Sequence, residues 1–437
     1  MTGAISSSGI RTVALLTLGC KLNQADSEIL ARELAAAGCR VVDRPSTADA
    51  FVINTCSVTH VADRKSRHLV RLARRLAPQA PVVVTGCCVE TGRSGLAEAV
   101  GADLALGNEA KATLVRTLLG RGNGHALAGG GQCPAAAGMG LRTRAFVKVQ
   151  EGCNDVCAFC IVPRTRGRER SVPIDEVVAA VRQREAEGVR EVVLTGTQLG
   201  AYGRDLGDGV GPGDLISALL ARTSLPRLRF SSLQPQDISP ELLALWKDSR
   251  LCRHFHLALQ SGSDPVLSRM RRRYSVEEFR RAAARVREAV RDVAITTDVI
   301  VGFPGETEAE FEESSAFCRE MGFARVHVFP YSRRSGTAAV RMAHQVPERV
   351  KRGRVDRMLT LARELEKAWL ARFIGRAMLV LWERPREADD GGPPLWEGLT
   401  DNYVRVYARS AGDLRNELLP VRLRHARNGG FEGELLA

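Results

Sequence analysis

The sequence contains no uninterrupted apolar run approaching the length of a membrane span. Its opening stretch, Met1 to Arg11, holds Ser and Gly but no apolar segment of the kind a secretory signal carries. These absences speak against a helical membrane protein and make the cytoplasm the expected compartment. The eight histidines form no H-E-x-x-H pair or other paired zinc spacing, and no Gly-Lys-Ser/Thr closes a phosphate-binding loop. Lysine is scarce, at seven of 63 basic residues, so the net charge of +13 rests on arginine used throughout. That weakens the inference from charge to a nucleic-acid partner. The charge is also uneven. Arg269 to Arg291 holds nine Arg against three Glu, whereas Leu370 to Ala437 holds ten residues of each sign.

What is present is more telling. A chain of 437 residues with 44% hydrophobic content has room for two to four domains, each with its own core. Eleven cysteines at irregular spacing favour metal or redox chemistry over a disulfide framework. Cys153, Cys157 and Cys160 form a C-x3-C-x2-C loop directly after an expected strand, Ala145–Val149. Three thiolates on one tight loop can hold three irons of a [4Fe–4S] cube and leave the fourth open for chemistry. The alternative is a zinc site borrowing Cys157 and Cys160, but a structural zinc wants four ligands and usually a second pair. No fourth cysteine follows in ferredoxin register, which disfavours a plain electron-transfer cluster. These three cysteines are the candidate catalytic metal ligands.

The first third alternates apolar runs and helical stretches: Val13–Thr17 then Ala25–Ala37, Ala50–Asn54 then Ala62–Leu76, Pro81–Thr85 then Gly92–Val100. This is the pattern of an open parallel α/β domain. Cys20, Cys56 and Cys87 each follow one of the three strands, where open α/β sheets collect ligands. They are a second candidate metal site, with ordinary core packing as the alternative. Cys39, Cys88, Cys133, Cys252 and Cys318 lack ligand context, although Cys88 adjoins Cys87.

Gly120 to Gly140 reads as a linker. Six further strands are expected at Ala145–Val149, Arg190–Leu194, Arg227–Ser231, His254–Leu259, Ala294–Val301 and Ala324–Phe329, separated by helical stretches such as Ile174–Glu187 and Val276–Val290. Six βα units make a partial, laterally open barrel, short of the eight in a closed one. Small polar residues at its strand ends are candidates for binding the amino, carboxylate and ribose parts of a cofactor: Thr197, Ser232, Gln260 and Asp298. After a charged helix from Arg349 to Leu370, short β-like runs at Ala377–Trp382, Tyr403–Ala408 and Glu417–Leu423 suggest a small β-barrel. The expected division is residues 1–120 for the α/β domain, 121–140 for the linker, 141–368 for the partial barrel and 369–437 for the terminal β-barrel.

These motifs together resemble the radical S-adenosylmethionine (SAM) methylthiotransferases over nearly the whole chain. The resemblance is carried by Leu18-Gly19-Cys20-Lys21-Leu22-Asn23-Gln24-Ala25-Asp26-Ser27-Glu28, Asn54-Thr55-Cys56 and Val84-Thr85-Gly86-Cys87 in the first domain. The barrel adds Cys153 to Cys160, Arg166-Gly167-Arg168-Glu169-Arg170-Ser171, Leu259-Gln260-Ser261-Gly262-Ser263 and Asp298 to Thr307. The resemblance implies two [4Fe–4S] clusters, one on Cys153, Cys157 and Cys160, the other on Cys20, Cys56 and Cys87, the family pattern choosing Cys87 over Cys88. It implies SAM as both radical source and methyl donor, and attack on C2 of an adenine, where only a radical has purchase. It further implies a TRAM-like RNA-binding barrel, the anticodon loop of tRNA as partner, a reductase or flavodoxin-type electron donor, and a sulfur donor.

The text around Cys20 and Cys56 is most similar to the subgroup acting on N6-threonylcarbamoyladenosine at tRNA position 37. The isopentenyladenosine subgroup typically has Gln where Lys21 stands, although Arg166 to Ser171 also resembles that subgroup. A ribosomal-protein methylthiotransferase departs further. The reading from another class is a non-catalytic iron–sulfur electron carrier or RNA-binding redox sensor. RNA phosphates are expected along Arg405 to Arg427, which carries six Arg against Asp413 and Glu417.

Overall fold

A computed structural model describes residues 9–91, 101–120, 143–207, 209–386, 392–427 and 429–436. The stretch expected as a linker lies, apart from Gly120, outside these residues, as do the helix expected at Gly92–Val100 and Cys133. Among the described residues no helix is long and apolar enough to cross a membrane.

The first sheet has strands β1 (Thr12–Thr17), β2 (Arg40–Val42), β3 (Ala50–Thr55), β4 (Val82–Gly86) and β5 (Leu104–Leu106), in the order β2-β1-β3-β4-β5, all parallel. Alternation along β1 sends Val13 and Leu15 into one core and Ala14 and Leu16 into the other. Helix α1 (Lys21–Ala36) contributes Leu30 and Leu34 to the first core, and α2 (His60–Leu76) contributes Val70 and Ala73 to the second. The sheet is therefore covered on both faces, which the unbroken apolar runs of β3 and β4 require. The three-residue strands β2 and β5 were too short to stand out in the sequence.

The central unit has β6 (Arg144–Lys148), a short antiparallel pair β7 (Gln150–Glu151) and β8 (Arg170–Ser171), and then β9 (Glu191–Thr195), β10 (Arg227–Arg229), β11 (Ser232–Leu233), β12 (His254–Leu257), β13 (Ala294–Val301) and β14 (Arg325–Pro330). The barrel wall is parallel but comes as two sheets, β10-β9-β6 and β11-β12-β13-β14. The single strand expected at Arg227–Ser231 is broken. Leu228 bonds the 250–252 turn instead, its amide to Arg250 O at 2.8 Å and its carbonyl to Cys252 N at 2.9 Å. That turn takes the place β12 would hold, so β12 pairs only from Ser232 onward. The outer faces of the strands and their helices form one large apolar core.

The C-terminal strands β15 (Ala377–Arg386), β16 (Leu395–Thr400), β17 (Arg405–Arg409), β18 (Leu418–Arg427) and β19 (Gly430–Leu435) close into a barrel in the order β15-β16-β17-β19-β18. This closed barrel covers the N-terminal ends of the central strands. Arg227 Nη1 donates to Leu399 O at 2.9 Å, Arg229 Nη1 to Asp401 O at 3.0 Å, and Arg253 pairs with Asp401 at 2.6 Å.

Candidate active site

Strands β1, β3 and β4 are neighbours and parallel, so their carboxyl ends share one edge of the sheet. The chain moves from β1 to β2 on one side and then crosses to β3 on the other. The β1–β3 crevice is thus the topological switch point, where such sheets bind ligands. Cys20 stands at the N-terminus of α1 in extended conformation, and its sulfur-bearing neighbour across the crevice is Cys56, directly after β3. Gly19 has φ of +104°, and a Cβ there would come within 2.6 Å of Cys56 Cβ, so only glycine lets these loops approach. Cys87 opens the turn after β4, following Gly86 at φ +95°. Cys20, Cys87 and Cys88 all lie within electrostatic reach of Cys56, whose thiol is pushed up to about 12, chiefly by burial. A metal bound there must displace that proton.

The structure separates the adjoining pair. The Cys88 thiol is engaged, with Cys56 O at 3.0 Å and Asp63 Oδ1 at 3.2 Å. It also lines a small cavity beside α2. Cys87 instead lies within electrostatic reach of Arg166 and Lys111, on the side facing the central unit.

The second set of cysteines sits above β6. Gly152, at φ +77°, turns the chain under the Arg168 carbonyl, where any Cβ would collide. The buried Gln150 side chain pins this turn to the end of β9, accepting from the amides of Thr197 and Gln198 at 2.9 Å each and donating to Gly152 O at 2.8 Å. Each of the three sulfurs then receives one N–H donor. Asp155 N lies 3.4 Å from Cys153 Sγ, Val162 N 3.4 Å from Cys160 Sγ, and Arg272 Nη1 3.2 Å from Cys157 Sγ. Donors to sulfur are what cluster thiolates take, and the donor set fits a cubane held on three cysteines. Burial pushes Cys153 up to about 11 and Cys160 up to about 12. Glu169 holds Asn154 through its amide and side chain at 3.2 Å each, and the Ala158 amide bonds Met270 O at 2.9 Å, so the loop is braced on both flanks.

The two sets are tied through a buried charge cluster. Asp26 of α1 pairs with Lys111 at 2.7 Å, with Lys148 of β6 at 2.8 Å and with Arg166 at 2.9 Å. Arg166 reaches on to Glu151 at 2.5 Å, two residues before Cys153, and to Asn23. Burial alone would push the Asp26 carboxyl up, but the three cations pull it well below the ordinary carboxylate range. A second tie runs from Arg334 to Asp63 at 2.8 Å and to Ser57, next to Cys56.

Of the four candidate cofactor contacts, Thr197 follows β9, Ser232 lies in β11, and Gln260 follows β12 with φ of +68°. Gln260 is held by backbone bonds to Asp298 and Ile300 at 2.9 Å each. Asp298 is not at a strand end. It lies in the middle of β13, its Oδ2 3.3 Å from His256 Nε2. Nothing in the sequence marks Gln150 or Gln234; Gln198 stands in the polar run after the second expected barrel strand, and Glu169 and Arg272 stand only within motif runs. Cys39, Cys252 and Cys318 are buried in cores, as expected of packing thiols.

A thiol triad over a partial parallel barrel defines a radical SAM enzyme. A model of the radical SAM superfamily matches residues 147–318, and one described as uncharacterized protein family UPF0004 matches residues 12–107. The structure is similar to that of the radical SAM methyltransferase TsrM from Kitasatospora setae with cobalamin and a [4Fe–4S] cluster bound. The TM-score is 0.55 at 16% identity, covering 76% of this chain and 77% of that one, a likeness of fold. A Bacillus subtilis (strain 168) protein described as threonylcarbamoyladenosine tRNA methylthiotransferase MtaB is 36% identical, over 97% of this chain and 96% of its own length. A Thermotoga maritima protein of the same description is 34% identical, over 86% and 87%. A tRNA-2-methylthio-N(6)-dimethylallyladenosine synthase of Caldicellulosiruptor saccharolyticus is 32% identical, over 98% and 93%. The chain belongs to the radical SAM tRNA methylthiotransferase family, whose radical SAM unit uses a [4Fe–4S] cluster and SAM.

Proposed function

We propose that this enzyme adds a methylthio group to C2 of N6-threonylcarbamoyladenosine at position 37 of tRNA, with one [4Fe–4S] cluster on Cys153, Cys157 and Cys160 and a second on Cys20, Cys56 and Cys87. The observation that carries the reading is the additional cysteine set, Cys20, Cys56 and Cys87, at the β1–β3–β4 edge, since radical generation alone needs only the set above β6. When bound, the barrel cluster with SAM supplies a carbon-centred radical and the second cluster carries the sulfur to be transferred. The chain's own residues hold these parts in register. Gln150 and Glu169 fix the Cys153–Cys160 loop, and Arg166 and Asp26 fix α1, and with it Cys20, against that loop. Such positioning is what lets a short-lived radical meet its carbon and then the sulfur, with water excluded.

Thr197, Ser232, Gln260 and Asp298 are assigned to SAM. We divide the chain at 1–120, 141–368 and 369–437, with the last unit gripping RNA backbone through exposed Arg415 and Arg427; Arg424 is engaged with Glu434 and Arg405 with Glu397. An external reductase or flavodoxin-type protein supplies the electron, and a sulfur donor restores the transferred atom. A tRNA substrate carries with it a cytoplasmic site of action.

The choice of base follows relatives at 34–36% identity described as acting on threonylcarbamoyladenosine. The second reading, the dimethylallyl base, follows relatives at 31–35% described for it. Mass spectrometry of tRNA nucleosides from a deletion strain separates them. Loss of the 2-methylthio form of threonylcarbamoyladenosine, with its precursor accumulating, supports the proposal. Loss of the dimethylallyl form instead, or no change, overturns it.

A further inference from the structure

A cavity of about 300 Å³ lies where β12, β13 and β14 of the central barrel meet the helix Glu348–Ala371 and the C-terminal barrel, beneath the level of the Cys153–Cys160 loop. Its walls are the inward faces of β12, β13 and β14, with His254, His256, Thr296 and His327. Its floor is Tyr403 of the C-terminal barrel, and Lys21 enters from the side. Lys21 follows Cys20 directly, so the residue after one cysteine of the first set sits in the lumen of the second unit. At the roof, Asp298 stands beside His256 and His327. Two residues further along the same face of β13, Ile300 packs with Ala158 and Phe159 of the cluster loop's apolar cluster.

The charges in this cavity do not balance. Arg325 is held by Glu366 at 2.5 Å and Arg405 by Glu397 at 3.1 Å. Lys21 makes no hydrogen bond or ion pair with any described residue, and its nearest partner is the Tyr403 ring, 5.9 Å from its Nζ. The carboxylate within its electrostatic reach, Glu191, is already paired with Arg229 at 2.8 Å, so the desolvated ammonium is costly and a ligand anion removes the cost. His254 is 3% exposed and stacked on Tyr403, and its Nδ1 is buried with no partner in the protein. Its other nitrogen faces Thr296 Oγ1 at 3.1 Å. Among the described residues the cavity thus offers a cation without an ion pair, Lys21, and an unpartnered ring nitrogen, His254 Nδ1, beside the linked His254–Thr296–His256 group. His256, Asp298 and His327 have the chemistry of metal ligands, but Lys21 and Arg325 place positive charge beside them, which favours an anion over a second cation.

We propose that this cavity is the specificity pocket for the N6 substituent of the target adenosine, with Lys21 binding its carboxylate and the His254–Thr296–His256 group its hydroxyl and ureido atoms. The inference rests on the threonylcarbamoyl reading. That substituent carries one carboxylate, one hydroxyl and a urea, whereas an isopentenyl group would leave Lys21 and His254 Nδ1 without a partner. A substituent held there is flanked by the Cys20 loop and by the strand that rises to the other cysteine loop.

The test uses full-length protein with its clusters reconstituted and anticodon stem-loops carrying at position 37 either threonylcarbamoyladenosine, its carboxamide analogue or unmodified adenosine. Wild type should bind the acid about tenfold more tightly than the neutral carboxamide, the worth of one charge-assisted contact. In Lys21→Met that ratio should collapse to about one, while the unmodified stem-loop, which reports folding and backbone contacts, binds both proteins alike. Equal binding of acid and carboxamide by wild type, or an undiminished ratio in Lys21→Met, overturns the pocket. Methylthiolation of threonylcarbamoyladenosine by wild type in the same preparation shows that the function itself stands, so failure of one is distinguishable from failure of the other.

Discussion

Arg166 Nη1 lies 2.9 Å from Asp26 Oδ2 with both side chains buried, joining the helix that Cys20 starts to the loop that Cys153 starts. Asp26 answers two lysines as well, so it neutralises three cations at the seam between the first two units. Asp26→Asn leaves those cations without a counter-charge and should cost about 3–5 kcal/mol. The carboxyl is held below its ordinary value in the folded protein. Its contribution is therefore complete above the unfolded value of about 3.9 and lost as pH falls further. Urea unfolding should show a large wild-type to variant difference at neutral pH and a smaller one on approaching pH 3. A difference independent of pH would contradict this role.

The C-x3-C-x2-C loop was legible because its meaning is local: three thiols, one turn, a preceding strand. The three strand-end cysteines were legible because β1, β3 and β4 alternate with helices in sequence as they do in space. What holds them was not legible. Arg272 meets Cys157 across 115 residues, and Gln150 is one glutamine among several until its amide is seen clamping Thr197 and Gln198. Asp298 is grouped with the strand-end residues for its nearness to the turn at Gly302, although the expected strand Ala294–Val301 already holds it in its interior, as β13 does. Lys21 stood out in sequence only as a subgroup marker, and its place in the lumen supplies a physical reason for the residue there.

The two adjoining thiols should differ on substitution. Cys87→Ser is expected to lower iron from about eight to about four per chain after reconstitution. Cys88→Ser should leave iron unchanged, since that thiol is occupied by Cys56 O and Asp63. Iron analysis with electron paramagnetic resonance of the reduced proteins decides, and equal losses would refute the distinction.

Gly152→Ala adds a Cβ against the Arg168 carbonyl at a backbone angle of +77°. The left-handed conformation alone costs about 1–2 kcal/mol, before the collision is counted. The variant should lose the barrel cluster while keeping the one on the first domain, leaving about four irons per chain and no SAM cleavage. Full iron content would show that the turn tolerates a side chain.

Arg272 brings a positive charge to the Cys157 sulfur. A cationic donor stabilises the reduced, more negative cluster, so Arg272→Gln should shift the midpoint potential downward by on the order of 50 mV. Potentiometric titration followed by electron paramagnetic resonance reads the shift. An unchanged or raised potential would contradict the assignment.

The most direct measurement of two cysteine sets with separate tasks uses Cys20→Ala. Reconstituted and reduced with SAM and a stem-loop bearing threonylcarbamoyladenosine, this variant should still release 5′-deoxyadenosine while forming no methylthio nucleoside. Methylthio product at the wild-type rate, or loss of both 5′-deoxyadenosine and product in a variant that retains the barrel cluster, would contradict the division between the β1–β3–β4 edge and the barrel loop.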